Sequence, residues 1–98
     1  MWIVRQAASA AIQGVIMAGE MFRVVLADGR SVSAPLAWHP RLQHATAAER
    51  NHWRLIADGE GIHWPDLDED ISVENLLAGK RSGESTRSLQ RWLDARDH

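Results

Sequence analysis

Asp28-Gly29, set between two runs of alternating side chains, is the feature that most restricts the fold. An Asp-Gly pair in that setting favours a tight hairpin, because Gly reaches positive φ with no Cβ penalty. Upstream, Phe22, Val24 and Leu26 share one face, with Arg23 and Val25 on the other. Downstream, Arg30-Ser31-Val32-Ser33-Ala34 runs back until Pro35, which has no N–H to give a ladder, stops it. A second turn, Ala18-Gly19-Glu20, joins an earlier run in which Ile12, Gly14 and Ile16 alternate with Gln13, Val15 and Met17. These runs predict a three-stranded antiparallel meander with one apolar face needing cover.

Short helices are the expected cover. His39-Pro40 marks a boundary, since Pro disfavours helix in the residue before it, and Pro40 then opens a short helix through Leu42 and His44. Thr46-Ala47-Ala48-Glu49 fits a capping box and predicts a helix from Ala47 to about Trp53. Leu55-Ile56-Ala57 is a short apolar run ended by the turn Asp58-Gly59-Glu60-Gly61, and Ile62, His63 and Trp64 form a second small strand before Pro65. Ser72 caps a helix through Asn75, Leu76 and Leu77 that Gly79 stops. After the polar stretch Lys80 to Glu84, Ser85 caps a last helix with Leu89, Trp92 and Leu93 on one stripe. The predicted class is α+β: a small antiparallel sheet (the meander plus a short hairpin) covered by short helices, with a C-terminal amphipathic helix. Residues 1–10 read as an N-terminal extension, 11–79 as the core domain, and 80–98 as linker and C-terminal helix.

Several chemistries are excluded. At 98 residues the chain is one domain with a small core. Five Trp and one Phe, with no Tyr, must supply its bulk, so Trp38, Trp53 and Trp64 are expected to close the core with Phe22, Val24, Leu26, Leu55 and Ile62. The absence of Cys removes disulfides, thiolate catalysis and Cys-based zinc sites. Asp66-x-Asp68-x-Asp70 matches the start of a calcium loop, but Ile71 stands where the turn needs Gly and Leu77 where a bidentate Glu is needed. His39, His44, His52 and His63 show no HExxH spacing. Ser31, Ser33 and Ser72 lie in no nucleophile elbow, and Gly59-Glu60-Gly61 makes no phosphate loop. Neither a metal nor another cofactor is expected, and no set of catalytic roles can be assembled. MWIVRQAASAAIQGVIMAG has an early Arg and a mild apolar run, but it is too short and polar to span a bilayer and flows into a strand pattern. The expectation is a cytoplasmic protein with no membrane contact.

Charge distribution carries the functional signal. From Asp58 to Glu74 there are seven acidic residues and no Lys or Arg, whereas Lys80 to His98 holds five basic residues against three acidic. Pro65-Asp66-Leu67-Asp68 reads as solvated acids around one buried Leu, and the acids just before Ser72 favour the helix N-terminus that follows. The surplus charge is a solvated face or a contact surface for a basic partner. The candidate partner-binding residues are His63, Trp64, Asp66, Asp68, Glu69 and Asp70, with Trp64 as the anchor. Lys80, Arg81, Arg87 and Arg91 are the candidate nucleic-acid residues, with Arg96 further along the basic tail. Against that, Arg87 and Arg91 also suit the wet side of a packed amphipathic helix.

PLAWHPRL at 35–42, TAAERNHWRLI at 46–56 and GIHWPDLDEDISVENLLAG at 61–79 resemble a bacterial domain-of-unknown-function family of small proteins whose signature runs close to PLAWYPRL…W…GIHWPDLDEDIS…LL. The resemblance covers roughly residues 11 to 93, with His39 standing where the family more usually has Tyr. It implies a small α+β domain, in some members fused to a helix-turn-helix domain. Such proteins are often encoded beside another small protein in toxin–antitoxin-like pairs. The resemblance brings no catalytic residues. The expected function is a non-catalytic, antitoxin-like protein-binding module that neutralises the product of an adjacent gene through its acidic loop. A DNA-binding regulator using the C-terminal helix, with weak DNA contact, is one alternative. A phage-type inhibitor of a nucleic-acid enzyme is another. Homo-oligomer formation is left open.

Overall fold

The computed structural model describes residues 11–96. The expected N-terminal extension, residues 1–10, lies outside the described residues. Two three-stranded antiparallel sheets, ordered β1-β2-β3 and β4-β5-β6, make up the α+β fold. The first holds β1 (Ile12–Ala18), β2 (Met21–Leu26) and β3 (Ser31–Pro35). A 3-10 turn (Leu36–Trp38) leads to two one-turn helices, α1 (Pro40–Gln43) and α2 (Ala47–Arg50). The second sheet holds β4 (Arg54–Ile56), β5 (Gly61–Trp64) and β6 (Glu69–Ser72). Helix α3 (Val73–Leu77) follows β6 directly, and α4 (Thr86–Arg96) closes the described chain.

The Asp28-Gly29 hairpin forms as its sequence requires. The Gly29 N–H donates to the Leu26 carbonyl at 3.1 Å and Gly29 takes φ +95°, the left-handed position of a three-residue hairpin loop. Asp28 accepts from the Arg30 backbone N–H at 3.0 Å and from its Nε at 2.7 Å. That local pairing, led by the backbone N–H, holds the Asp28 carboxyl below its ordinary pKa. Phe22, Val24 and Leu26 are buried on one face of β2, as the alternation predicts.

The first strand departs from its simple alternation. Its register with β2 shifts between Ile12 and Gly14. A bulge of this kind moves the side chains beyond it to the opposite face. Ile12 is buried, yet Val15 and Met17, opposite Val24 and Phe22, pack on the core while Ile16 turns outward opposite Arg23.

One hydrophobic cluster joins the sheets: Phe22, Val24 and Leu26 from the first meet Ile62, Trp64 and Ile71 from the second, with Leu36, Leu42, Leu67, Val73 and Leu76 between. Trp38 and Trp53 pack on its edge, as does Trp92 from α4. Leu55 is a correction: it faces Ile62 across the ladder, but β4 is an edge strand and the side chain stays 41% exposed. The capping box is present, with the Glu49 N–H donating to Thr46 Oγ1 at 3.1 Å and the Thr46 N–H to Glu49 Oε1 at 2.9 Å. Its helix ends three residues earlier than expected, because the Asn51 N–H and its Nδ2 both take the Ala47 carbonyl. Ser72 caps α3, and Gly79 ends it at φ +72°.

Candidate functional site

The acidic segment belongs to the hairpin joining β5 and β6. Trp64 and Glu69 form its last ladder pair, leaving Pro65-Asp66-Leu67-Asp68 as the loop. The Leu67 N–H donates to the Trp64 carbonyl at 3.2 Å, and Asp68 takes φ +52°, a left-handed position that Asp tolerates better than most residues. The loop is apolar at its root: Leu67 is 0% exposed and plugs the core, while Pro65, Asp66 and Asp68 are exposed around it.

Arg41 fixes this root from below. Its Nη1 donates to the Leu67 carbonyl at 2.8 Å. Its Nε and Nη2 grip the Glu84 carboxylate at 3.0 and 2.7 Å, and its guanidinium lies 5.2 Å from the Trp92 ring. The Arg41 fork holds the Glu84 carboxyl below the usual range, and the Ser88 hydroxyl, donating at 2.9 Å, adds to this against the opposing effect of burial. One arginine thereby ties the acidic turn to the start of α4. Sequence reasoning missed it, because a pair 43 residues apart leaves no local spacing to read. The PLAWHPRL block that contains it was the only signal.

The pleat then sorts the acids. Successive side chains on a strand point to opposite faces. Glu69, opposite Trp64, turns toward the core, and its Oε2 lies 3.5 Å from Nδ1 of the buried His39. Asp70, opposite His63, turns outward, and His63 Nδ1 donates to Asp70 Oδ1 at 2.5 Å. His52 Nδ1 reaches Asp66 Oδ2 at 2.8 Å. Of the six candidate contact residues, Asp66, Asp68 and Asp70 are thus exposed and His63 is half-buried beside them, while Glu69 is mostly covered. Trp64 needs correction as the anchor. It is 0% exposed and its Nε1 donates to the Arg50 carbonyl at 3.0 Å, so it supports the turn from inside the core.

Of the candidate nucleic-acid residues, Lys80 and Arg81 line one cavity with Glu69 and Asp70. Arg87 and Arg91 are exposed on α4, away from the half-buried Leu89, Trp92 and Leu93. Lys80 and Arg81 lie in the strap between α3 and α4, with Arg81 4.8 Å from the Trp38 ring. Arg96 lies 4.5 Å from Trp92 and pairs with Glu49 through Nη1–Oε2 at 3.0 Å and Nη2–Oε1 at 2.6 Å. That pairing, with the Thr46 N–H, brings the Glu49 pKa down to about 2. Helices α1 to α3 are each only four or five residues long, so α4 has no full-length helix beside it with which to form a helix-turn-helix among the described residues. No described helix is long and apolar enough to cross a membrane. Among the described residues, no group of three or more His, Asp or Glu side chains is placed to hold a metal ion.

Comparison with known proteins agrees with this architecture. The model of a family described as "Protein of unknown function (DUF2442)" matches residues 12–82. No curated protein matches the chain. Two solved structures share the fold. A protein of unknown function from Rhodospirillum rubrum is 22% identical, with 78% of this chain and 94% of that one covered and a TM-score of 0.66. An uncharacterized protein from Chromobacterium violaceum is 20% identical, with 89% of this chain and 80% of that one covered and a TM-score of 0.68.

Proposed function

The chain belongs to the DUF2442 family of proteins of unknown function, and we propose that it is a non-catalytic, antitoxin-like module whose acidic turn binds a basic surface on a small partner protein, the product of an adjacent gene. The observation that supports this most is the pairing of charge with rigidity at residues 65–70. Asp66, Asp68 and Asp70 present carboxylates outward from a backbone that buried Leu67 and the Arg41 hydrogen bond hold in place. A surface ordered before binding loses less entropy on association. Its charge also steers a basic partner toward it. The anchor is the turn itself rather than Trp64, and His52 and His63 flank it through their pairs with Asp66 and Asp70.

The reading is non-catalytic for a geometric reason. The pairs His39–Glu69, His52–Asp66 and His63–Asp70 each join an imidazole to a carboxylate. None has a Ser or Thr hydroxyl hydrogen-bonded to the imidazole among the described residues, so the nucleophile of a triad is missing. The test is co-expression of the tagged chain with the adjacent gene product, followed by capture. Wild type should retain the partner, and the folded Asp66→Asn/Asp68→Asn variant should lose it. Equal retention by that variant would remove these acids from the interface.

A second reading, phosphate contact through Arg87 and Arg91, rests on their exposure along α4. Few cations are available there, so the expected binding is weak and salt-sensitive. A sequence-specific footprint lost on Arg87→Ala/Arg91→Ala would promote it above the first.

A further inference from the structure

A second polar feature adjoins the exposed acids at Asp70. A cavity of about 250 Å³ opens between β6, α3 and the strap that leads to α4. At roughly 30 Å³ per water molecule, it has room for a guest of several heavy atoms. His39 forms part of its wall and is only 5% exposed, with its ring edge-on to Phe22 at 5.6 Å. Neither ring nitrogen of His39 is hydrogen-bonded: Nδ1 has only the Glu69 Oε2 at 3.5 Å, and Nε2 has no partner. Buried polar atoms are nearly always satisfied, so the unpartnered Nε2 points to a polar guest. The rest of the wall is charged in both senses. Glu69 and Asp70 come from β6, and Lys80 and Arg81 from the strap. The acids pair with His39 and His63, and neither forms an ion pair with Lys80 or Arg81.

Hydrogen bonds within the chain hold the wall in place. The Lys80 N–H donates to the Asn75 carbonyl at 2.9 Å and the Ser82 N–H to the Trp38 carbonyl at 2.9 Å. Arg81 stacks over Trp38, and Ser82 Oγ accepts from the Glu84 N–H at 3.2 Å. Opposite charges lining one small cavity, and not paired with each other, select the guest by charge. A lone anion meets Glu69, and a lone cation meets Lys80 and Arg81. A molecule carrying both charges satisfies both sets. We propose that the cavity beside His39 binds a small zwitterion of amino-acid type, its carboxylate held by Lys80 and Arg81, its ammonium by Glu69, and its remaining polar atoms by His39 and the Asn75 amide. The site shares Asp70 with the partner surface but not Asp66 or Asp68, and it is tested through Glu69 and Lys80, so it stands or falls independently of that surface.

The experiment is an NMR titration of the full chain with each common amino acid in turn at millimolar concentration. The signals followed are the His39 ring nitrogens and the backbone amides of Asn75 and residues 80–83. Acetate, inorganic phosphate, methylammonium, and the amide and N-acetyl derivatives of any binder are the controls. At least one amino acid should give saturable shifts at His39 and the strap, and each control should bind more weakly. Glu69→Gln and Lys80→Ala should each weaken binding on the order of tenfold, as expected for loss of one charge-assisted contact. Lys80→Ala changes an exposed strap residue, so it tests the site even if Glu69→Gln disturbs the fold. No saturable shift with any amino acid would overturn the proposal. Acetate, phosphate or methylammonium binding as tightly as the best amino acid would do so too, because one charge would then suffice.

Discussion

Two hairpin turns in this molecule use aspartate in opposite ways. At the β2–β3 turn, Asp28 spends its charge locally on the backbone and side chain of Arg30, and nothing from that loop enters the core. At the β5–β6 turn, Leu67 enters the core and Arg41 holds its carbonyl, so backbone and plug fix the loop and leave its carboxylates outward. The first turn is self-contained and closed to partners. The second depends on distant residues and keeps its carboxylates at the surface, Asp66 beside His52 and Asp68 exposed. Acid content alone therefore does not mark a binding surface; what matters is which group holds the turn in shape.

The strongest way to break this contrast is to remove the plug. Leu67→Ala should cost about 2–5 kcal/mol, the range for truncating a buried Leu, whereas Ala27→Ser in the other turn should stay within about 0.5 kcal/mol. Urea unfolding of the two variants side by side measures both, and similar midpoints would erase the distinction. Arg41→Met comes next. It removes the bond to the Leu67 carbonyl and strips Glu84 of its partner, at about 1.5–3 kcal/mol for hydrogen bonds to charged groups. Amide exchange in residues 66–68 should quicken in that variant while residues 27–29 are unchanged. Gly29→Ala probes the opposite turn, where φ of +95° penalises a Cβ. About 1–2 kcal/mol is expected, with no change in exchange at the acidic turn.

Acid titration gives a smaller effect. The Glu49 pKa is depressed in the folded state from 4.5 to about 2, first by the Arg96 hydrogen bonds and then by the Thr46 N–H. The folded state therefore binds this proton more weakly than the unfolded one. The stabilisation is whole above pH 4.5 and is lost as pH falls toward 2. Glu49→Gln should flatten the fall in melting temperature within that window. An acid limb as steep as the wild type's would contradict the pairing of α2 with α4.

The first sheet was legible because its signals are local: an Asp-Gly turn, a Pro stop and alternation on β2. The bulge after Ile12 was not, since the extra residue is Gln13, which marks no irregularity. Strand β6 was hidden for a stronger reason. Glu69-Asp70-Ile71-Ser72 begins with two acids, a composition disfavoured in strands. It pairs because each acid meets a histidine, Glu69 on His39 and Asp70 on His63, and the first of these comes from a distant element. Trp64 was expected both to close the core and to anchor a contact; its strand position opposite Glu69 turns it inward, which meets the first expectation and rules out the second. The burial of Leu67, by contrast, followed directly from one apolar residue among acids.

The most direct measurement is the association rate with the adjacent gene product, taken at low and at physiological salt. Three chains should be compared: wild type, Asp28→Asn and Asp66→Asn/Asp68→Asn. Folded stability should differ among them by no more than about 0.5 kcal/mol, because each change is at the surface. If the acidic turn steers the partner, the double variant associates more slowly and loses much of its salt dependence, while Asp28→Asn matches wild type. Equal rates and equal salt dependence for all three folded chains would contradict the central claim and leave the turn at 65–68 a structural feature alone.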